Sequence, residues 1–261
     1  MDLASLIGIF FGVGMILWGN QLEAGEITKL VGLPAAMIVL GGTSGAVMLQ
    51  FRPQTLIGAV LGLKSVFLGH KVDQLGMIAQ IVDFARRARR EGILALEKEI
   101  PNITDPFFSK ALSMAVDGLE PKTLFETMET EMATGEEEWR EKSEVWEAGG
   151  GYLPTIGIIG AVLGLIVVMQ DLSNLNVVGH GIATAFVATI YGVGGANLIV
   201  LPISGKIKAI GKSVTKFEEM TLKGVLLIQE GINHSIIEEE LKGYLDEKTR
   251  ARLTGKEGAS R

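Results

Sequence analysis

Three threonines, Thr155, Thr184 and Thr189, and two prolines, Pro154 and Pro202, stand in runs that hold no Asp, Glu, Lys or Arg. A threonine hydroxyl can donate and accept, so it can bond water, a partner carboxylate or a passing ion. It also commonly bonds its own helix backbone or a neighbouring helix. The other residue types that do chemistry are scarce. There is no cysteine, which excludes disulfides, thiolate catalysis and Cys-based zinc sites. The three histidines, His70, His180 and His234, are not spaced as a ligand pair. Neither a catalytic group nor a bound cofactor is expected. A net charge of −6 argues against a nucleic-acid partner. Intramembrane charges normally mark ion pathways, and here they are missing. Either the chain is a structural membrane protein, or a partner supplies the ionisable group and this chain builds the wall around it.

The elements that carry these residues are apolar and long. In the 261-residue chain 48% of residues are hydrophobic and 21% charged. Four stretches lack any charge: Leu3 to Leu22, Leu30 to Phe51, Ala148 to Gln170 and Leu172 to Gly205. About 20 apolar residues cross the hydrocarbon core as a helix, which pairs its own backbone groups. The expected fold is therefore all-α and polytopic, with four transmembrane helices in two hairpins in contact with membrane lipid. The first run follows Met1 and Asp2 without a basic n-region or an evident cleavage site, so it reads as a retained helix rather than a signal peptide.

Four segments follow: a hairpin over 1–51, a polar helical domain over 52–147, a second hairpin over 148–205, and a C-terminal helix and tail over 206–261. The polar domain holds 12 Lys and Arg and the tail 11, whereas the two short links hold only Lys29. The positive-inside rule places both polar segments and both termini in the cytoplasm. Arg52, Lys206, Lys208 and Lys212, beside the spans, carry most weight in that rule.

Within the polar domain Ile78, Ile81, Val82 and Ala85 recur at helical spacing, followed by Arg86, Arg87, Arg89 and Arg90. Gly92 interrupts the pattern, a further helical stretch runs from Ile93 to Ile100, and Pro101 ends it. Another helix is expected from Lys122 to Glu147. The segment 52–69 either lies along the membrane surface or continues span two. The tail from Lys256 to Arg261 has a disordered composition.

By spacing, Pro154 falls at the first turn of span three, where proline costs little. Pro202 is followed by more helical sequence, so a kink is expected there. Kinks at matching depth in the two helices could form a hinge. Gly8 with Gly12, Gly41 with Gly45, and Gly160 with Gly164 form GxxxG pairs that suit close helix packing.

Two runs, YLPTIGIIGAVLGL and GIATAFVATIYGVGGANLIVLPISGKI, with FARRARREGILALEKEI between the hairpins, resemble the MotA/PomA family of flagellar stator proteins. The resemblance extends over essentially the whole chain. It implies a homo-pentameric ring around MotB-like chains that each carry an intramembrane aspartate. Ion flow then drives torque on the rotor protein FliG at the bacterial inner membrane, in the service of motility and chemotaxis. The missing ionisable group would be the partner's. By the same resemblance Pro154 and Pro202 correspond to the coupling prolines, and Thr189 to the threonine facing the partner aspartate. Arg89 and Glu97 correspond to the rotor-contact residues, with Arg90 an adjacent candidate.

Where sodium-type members carry a threonine in span three, this chain has Ala161, which favours H⁺ over Na⁺ as the transported ion. Two alternatives remain at this level: an ExbB/TolQ-like motor, which resembles a three-span layout, and a non-conducting membrane scaffold.

Overall fold

A computed structural model describes residues 3–69, 72–247 and 249–250. His70 and the tail from Lys256 to Arg261 lie outside the described residues. The described elements are helical. They are α1 (Leu3–Leu22), a 3-10 turn (Ile27–Leu30), α2 (Leu33–Ala36), a π turn (Met37–Gly41), α3 (Gly42–Gln50), α4 (Pro53–Leu68) and α5 (Gln74–Glu91). A 3-10 segment (Ile93–Asn102), α6 (Pro106–Val116), α7 (Pro121–Gln170) and α8 (Leu175–Gly195) follow. A second π turn (Ala196–Val200), α9 (Leu201–Gln229) and α10 (His234–Lys242) complete the order. Among the described residues, four stretches are long and apolar enough to cross a membrane: Leu3–Leu22, Ile27–Gln50, and the apolar parts of Pro121–Gln170 and Leu175–Gln229.

The chain divides into two compact units, 1–70 with 138–210, and 71–137 with 211–261. The apolar unit therefore includes α4 and the stretch 138–147, which charge alone groups with the polar domain. Glycine at close approach explains how its helices meet. On α7, Gly157, Gly160 and Gly164 face Ala185, Ala188 and Gly192 of α8 across gaps that no added methyl would fit without displacement. The Tyr191 hydroxyl donates to the Leu30 carbonyl (2.7 Å) and accepts from the Gly32 N–H (3.1 Å), pinning span two to span four. Ser143 and Ser204, both buried, bond each other's backbone: Ser143 Oγ donates to the Ser204 carbonyl at 3.1 Å and Ser204 Oγ to the Ser143 carbonyl at 3.0 Å. α4 begins anew at Pro53 after extended backbone at Phe51 and Arg52, so it does not continue span two. It packs in the apolar unit, where the Trp146 indole N–H donates to the Ala59 carbonyl at 3.0 Å.

The polar unit has its own core, built on Ile81, Leu96, Phe108, Leu112, Met220 and Leu241. Asp73 caps α5 by accepting from the Gly76 N–H (2.9 Å), and Gly92 ends it at φ +84°, a conformation that favours glycine. Asp105 caps α6 in the same way through the Phe108 N–H (2.8 Å). Two expectations are corrected here. The stretch after Gly92 is a 3-10 helix that contains Pro101 and ends one residue beyond it. The helix expected over Lys122 to Glu147 does not stop; it runs on as α7 to Gln170.

Candidate functional site

Because α7 is continuous, Pro154 lies deep within a helix rather than in its first turn. That overturns the spacing argument. The glycines Gly149, Gly150 and Gly151, which look like a break in sequence, are helical, and the first two of them are packed against span four. Gly149 stands 3.5 Å from Val200 by its would-be Cβ, and Gly150 lies directly against the Leu201 side chain. Pro154 removes the backbone donor that would bond the Gly150 carbonyl.

Pro202 sits just after the Ala196–Val200 π turn. A π turn before proline loosens the preceding carbonyl ladder and is a recognised site of helix bending. The two prolines are not at one depth. Gly192 packs on Leu153 and Pro154, and Ser204 on Ser143, so α7 and the α8–α9 strand of the hairpin run antiparallel in one register. In that register Pro202 lies about eight residues, roughly 12 Å, from the level of Pro154.

Thr155 and Thr189 both stand on exposed surfaces of their helices. The register brings them within about one helical turn, roughly 5 Å, in depth. Thr155 donates to the Tyr152 carbonyl (2.8 Å), Thr184 to the His180 carbonyl (3.0 Å) and Thr189 to the Ala185 carbonyl (3.1 Å). Each hydroxyl has spent its proton on its own helix. What Thr155 and Thr189 present outward is therefore oxygen lone pairs, which accept from an O–H or ligate a cation. Thr184 and Ala161 are half-buried. Ala161 directly follows Gly160, the residue packed on Ala188, and offers no oxygen beyond its backbone. No charged residue occurs between Glu147 and Asp171 or between Asp171 and Lys206.

The polar unit carries the other candidate surface. Arg87 is not among its free charges: it bridges Asp83 (2.8 Å) and Glu99 (2.7 Å), tying α5 to the 3-10 segment. Arg89, Arg90 and Glu97 are exposed around this tie. Arg90 has one distant pairing, with its neighbour Glu91 at 3.9 Å. Glu99 is half-buried and held by Arg87, whereas Glu97 two residues earlier is exposed. In the same unit Glu218 is pushed up to about 7, first by burial and then by the negative charges of Asp105 and Glu131.

The residues that build the close contacts of the apolar unit, Gly157, Gly181, Gly192, Ser143, Ser204 and Tyr191, are not singled out by GxxxG pairs. A readable signal existed: Gly181, Ala185, Ala188 and Gly192 recur at helical spacing as one small-residue face. Of the GxxxG pairs, Gly160 and Gly164 are in close contact, whereas Gly8, Gly41 and Gly45 have open space beside them.

Comparison with known proteins agrees with this architecture. Residues 99–220 match the MotA/TolQ/ExbB proton channel family. Motility protein A of Bacillus subtilis (strain 168) is 32% identical over 256 residues, covering 97% of this chain and 94% of that protein. Chemotaxis protein PomA of Vibrio alginolyticus is 30% identical over 251 residues, covering 96% and 98%. The solved structure of C. jejuni MotAB superposes with a TM-score of 0.91 at 34% identity, over 95% of this chain and 97% of that one. The flagellar MotAB stator complex from Bacillus subtilis gives 0.88 at 32% identity, over 97% and 99%. With four candidate spans, the small-residue hairpin between α7 and α8, and full-length similarity to motility proteins, the chain belongs to the MotA/PomA family of flagellar stator proteins.

Proposed function

We propose that this chain is the ring-forming subunit of an ion-driven stator, assembled as a homo-pentamer around MotB-like chains that each bring an intramembrane aspartate. The observation that carries the reading is the state of the threonines. Thr155 and Thr189 stand at neighbouring depths on uncharged spans, with their protons committed to backbone and their lone pairs outward. Such a wall carries no charge of its own to hold an ion, and its oxygens are suited to receive a protonated carboxylic acid from another chain. The solved relatives are MotAB complexes, which supports a MotB-like partner.

The transported ion on this reading is H⁺. Na⁺ needs a cage of oxygens, and Ala161 contributes none from its side chain, whereas a proton needs only an acid and an acceptor. The chain then acts as a motor and channel subunit rather than as a bond-making enzyme. It lies in the inner membrane with both termini, the polar unit and α10 on the cytoplasmic side, as the basic residues flanking the spans require. The polar unit pushes on the rotor protein FliG through Arg89, Arg90 and Glu97. Exposed ion pairs contribute about 0–1 kcal/mol each, weak enough to break at every step.

Native mass spectrometry of the complex, extracted gently from its own membranes, tests the assembly. Five copies of this chain with a few copies of a single-span, aspartate-bearing protein is the expected result. A ring lacking any such partner under conditions that preserve labile complexes would leave the uncharged spans without an ion carrier and return the scaffold reading.

A further inference from the structure

We infer that Asn197 is a further station of the ion path, holding through its side-chain oxygen the water by which a proton leaves toward the cytoplasm; this rests on the stator reading above. Asn197 is the only amide side chain between Asn176 and Lys206. Its Nδ2 donates to the Val193 carbonyl at 2.9 Å. That bond fixes which end of the amide turns outward, because a backbone carbonyl can only accept. The side chain is exposed, and among the described residues no hydrogen bond reaches its Oδ1. Asn197 is thus in the state of Thr155 and Thr189, with a donor committed to its own helix and an oxygen left outward.

Its position extends theirs. Asn197 lies eight residues beyond Thr189 on the same stretch of helix, about 12 Å nearer the cytoplasmic boundary and about 80° around the axis. The two oxygens therefore share one broad face. Asn197 is also the second residue of the Ala196–Val200 π turn, a helical irregularity that recurs at functional sites. Beside it a cavity of about 350 Å³ continues past Gly8, Phe67 and Pro202 to Lys206, the first charge after the span. That cavity gives water a route from the cytoplasmic boundary to the amide. An amide turned toward hydrocarbon would lose its hydration without compensation, so this part of the face meets water or protein rather than lipid.

The step is a plain proton transfer. The O–H bond of the partner's acid breaks beside Thr189, the proton joins water, and the carboxylate is left to take the next proton from outside. Asn197 Oδ1 accepts a hydrogen bond from the water at the inner end of that chain and steadies the charge as it passes. No bond of Asn197 itself is made or broken.

The test separates the rate of ion passage from the energy of each step. Torque at high load reports the free energy delivered per ion, whereas speed at low load reports how fast ions pass. Asn197→Val should lower the low-load speed about two- to tenfold, the effect of one hydrogen bond on a transfer step. High-load torque should stay near that of the wild type, and D2O should slow the variant more than the wild type. Asn197→Thr has the shape of the Val variant and regains an outward oxygen, so it should restore speed. The chain has no cysteine, so Asn197→Cys, beside a cysteine-free partner, reports water access. A membrane-impermeant methanethiosulfonate should modify it from the cytoplasmic side. Leu198→Cys, on the side of the helix packed against Gly12, should stay unmodified. Should Asn197→Val not assemble, the cysteine result decides. Equal low-load speeds in the Val and Thr variants, or a thiol at 197 closed to the cytoplasmic reagent, as a contact with a neighbouring copy would make it, overturns the inference alone. Wild-type rotation that survives collapse of the proton gradient overturns the stator reading of H⁺ flow and the inference with it.

Discussion

Gly192 of α8 rests on the backbone of α7 at Pro154: a methyl placed on it would lie 2.6 Å from the Leu153 carbonyl oxygen and 3.3 Å from the Pro154 Cα. The proline that interrupts the hydrogen-bond ladder of α7 is thus buttressed by a backbone that only glycine can bring so close. Gly192→Ala should force the helices apart, at a cost of about 1–3 kcal/mol typical of overpacking. Thermal unfolding of the purified complex reads this, with Gly135→Ala as the contrast. Gly135 lies in α7 with open space beside it, so alanine there should be neutral or stabilising by up to about 1 kcal/mol.

Thr189→Val keeps the shape of the side chain and removes the outward oxygen. Torque on a tethered bead should fall severely while membrane expression and assembly stay normal. Thr189→Ser should recover part of it. Full torque in the Val variant would remove the acceptor role assigned to Thr189 and favour a scaffold.

The Ser143 and Ser204 hydroxyls answer each other's backbone in a buried contact, 3.0 Å apart from oxygen to oxygen. Each alanine substitution removes one donated bond and the contact between the hydroxyls, while the remaining hydroxyl still reaches the backbone carbonyl, so each single variant should lose about 0.5–1.5 kcal/mol. The double alanine variant should lose less than the sum. Strict additivity in a denaturation series would show that the two act independently.

Charge reversal at Arg89 or Glu97 should only partly reduce swarming, because exposed contacts share the load. Arg87→Ala is different in kind. It releases Asp83 and Glu99 together, so it should lower stability by up to about 1 kcal/mol, detectable as a lowered Tm. Complete loss of motility from a neutral change at Arg89 alone, with normal expression, would contradict the distributed arrangement.

Glu218 makes stability depend on pH with a definite sign. Its carboxyl is raised from 4.5 to about 7, by burial first and by Asp105 and Glu131 second. Below pH 4.5 it is protonated in both folded and unfolded chains and has no effect. Between 4.5 and 7 the unfolded chain ionises first, so the folded state loses stability as pH rises, and the penalty is complete above 7. Glu218→Gln should therefore raise the Tm at pH 8, on the order of a few degrees, and change it little at pH 4.5. An equal gain at both pH values would assign the effect to packing instead.

Sequence alone determined the helical class, the four spans, and the family, because these rest on local properties. A charge-free run of membrane length must pair its own backbone, and the apolar period of Ile78, Ile81, Val82 and Ala85 marks a buried face wherever it docks. The absence of an intramembrane acid was equally legible. The state of Pro154 was not. Three glycines before a proline look like a helix start, whereas α7 runs through them unbroken, with the side chains of Val200 and Leu201 packed against Gly149 and Gly150. The offset of Pro154 from Pro202 depends on the register of two antiparallel helices, which no spacing within either one encodes. Likewise, that Arg87 and Glu99 are spent on each other while Arg89 and Glu97 remain outward is decided by how α5 meets the 3-10 segment. Charges read from sequence are all alike until packing brings some within bonding distance and leaves others to water.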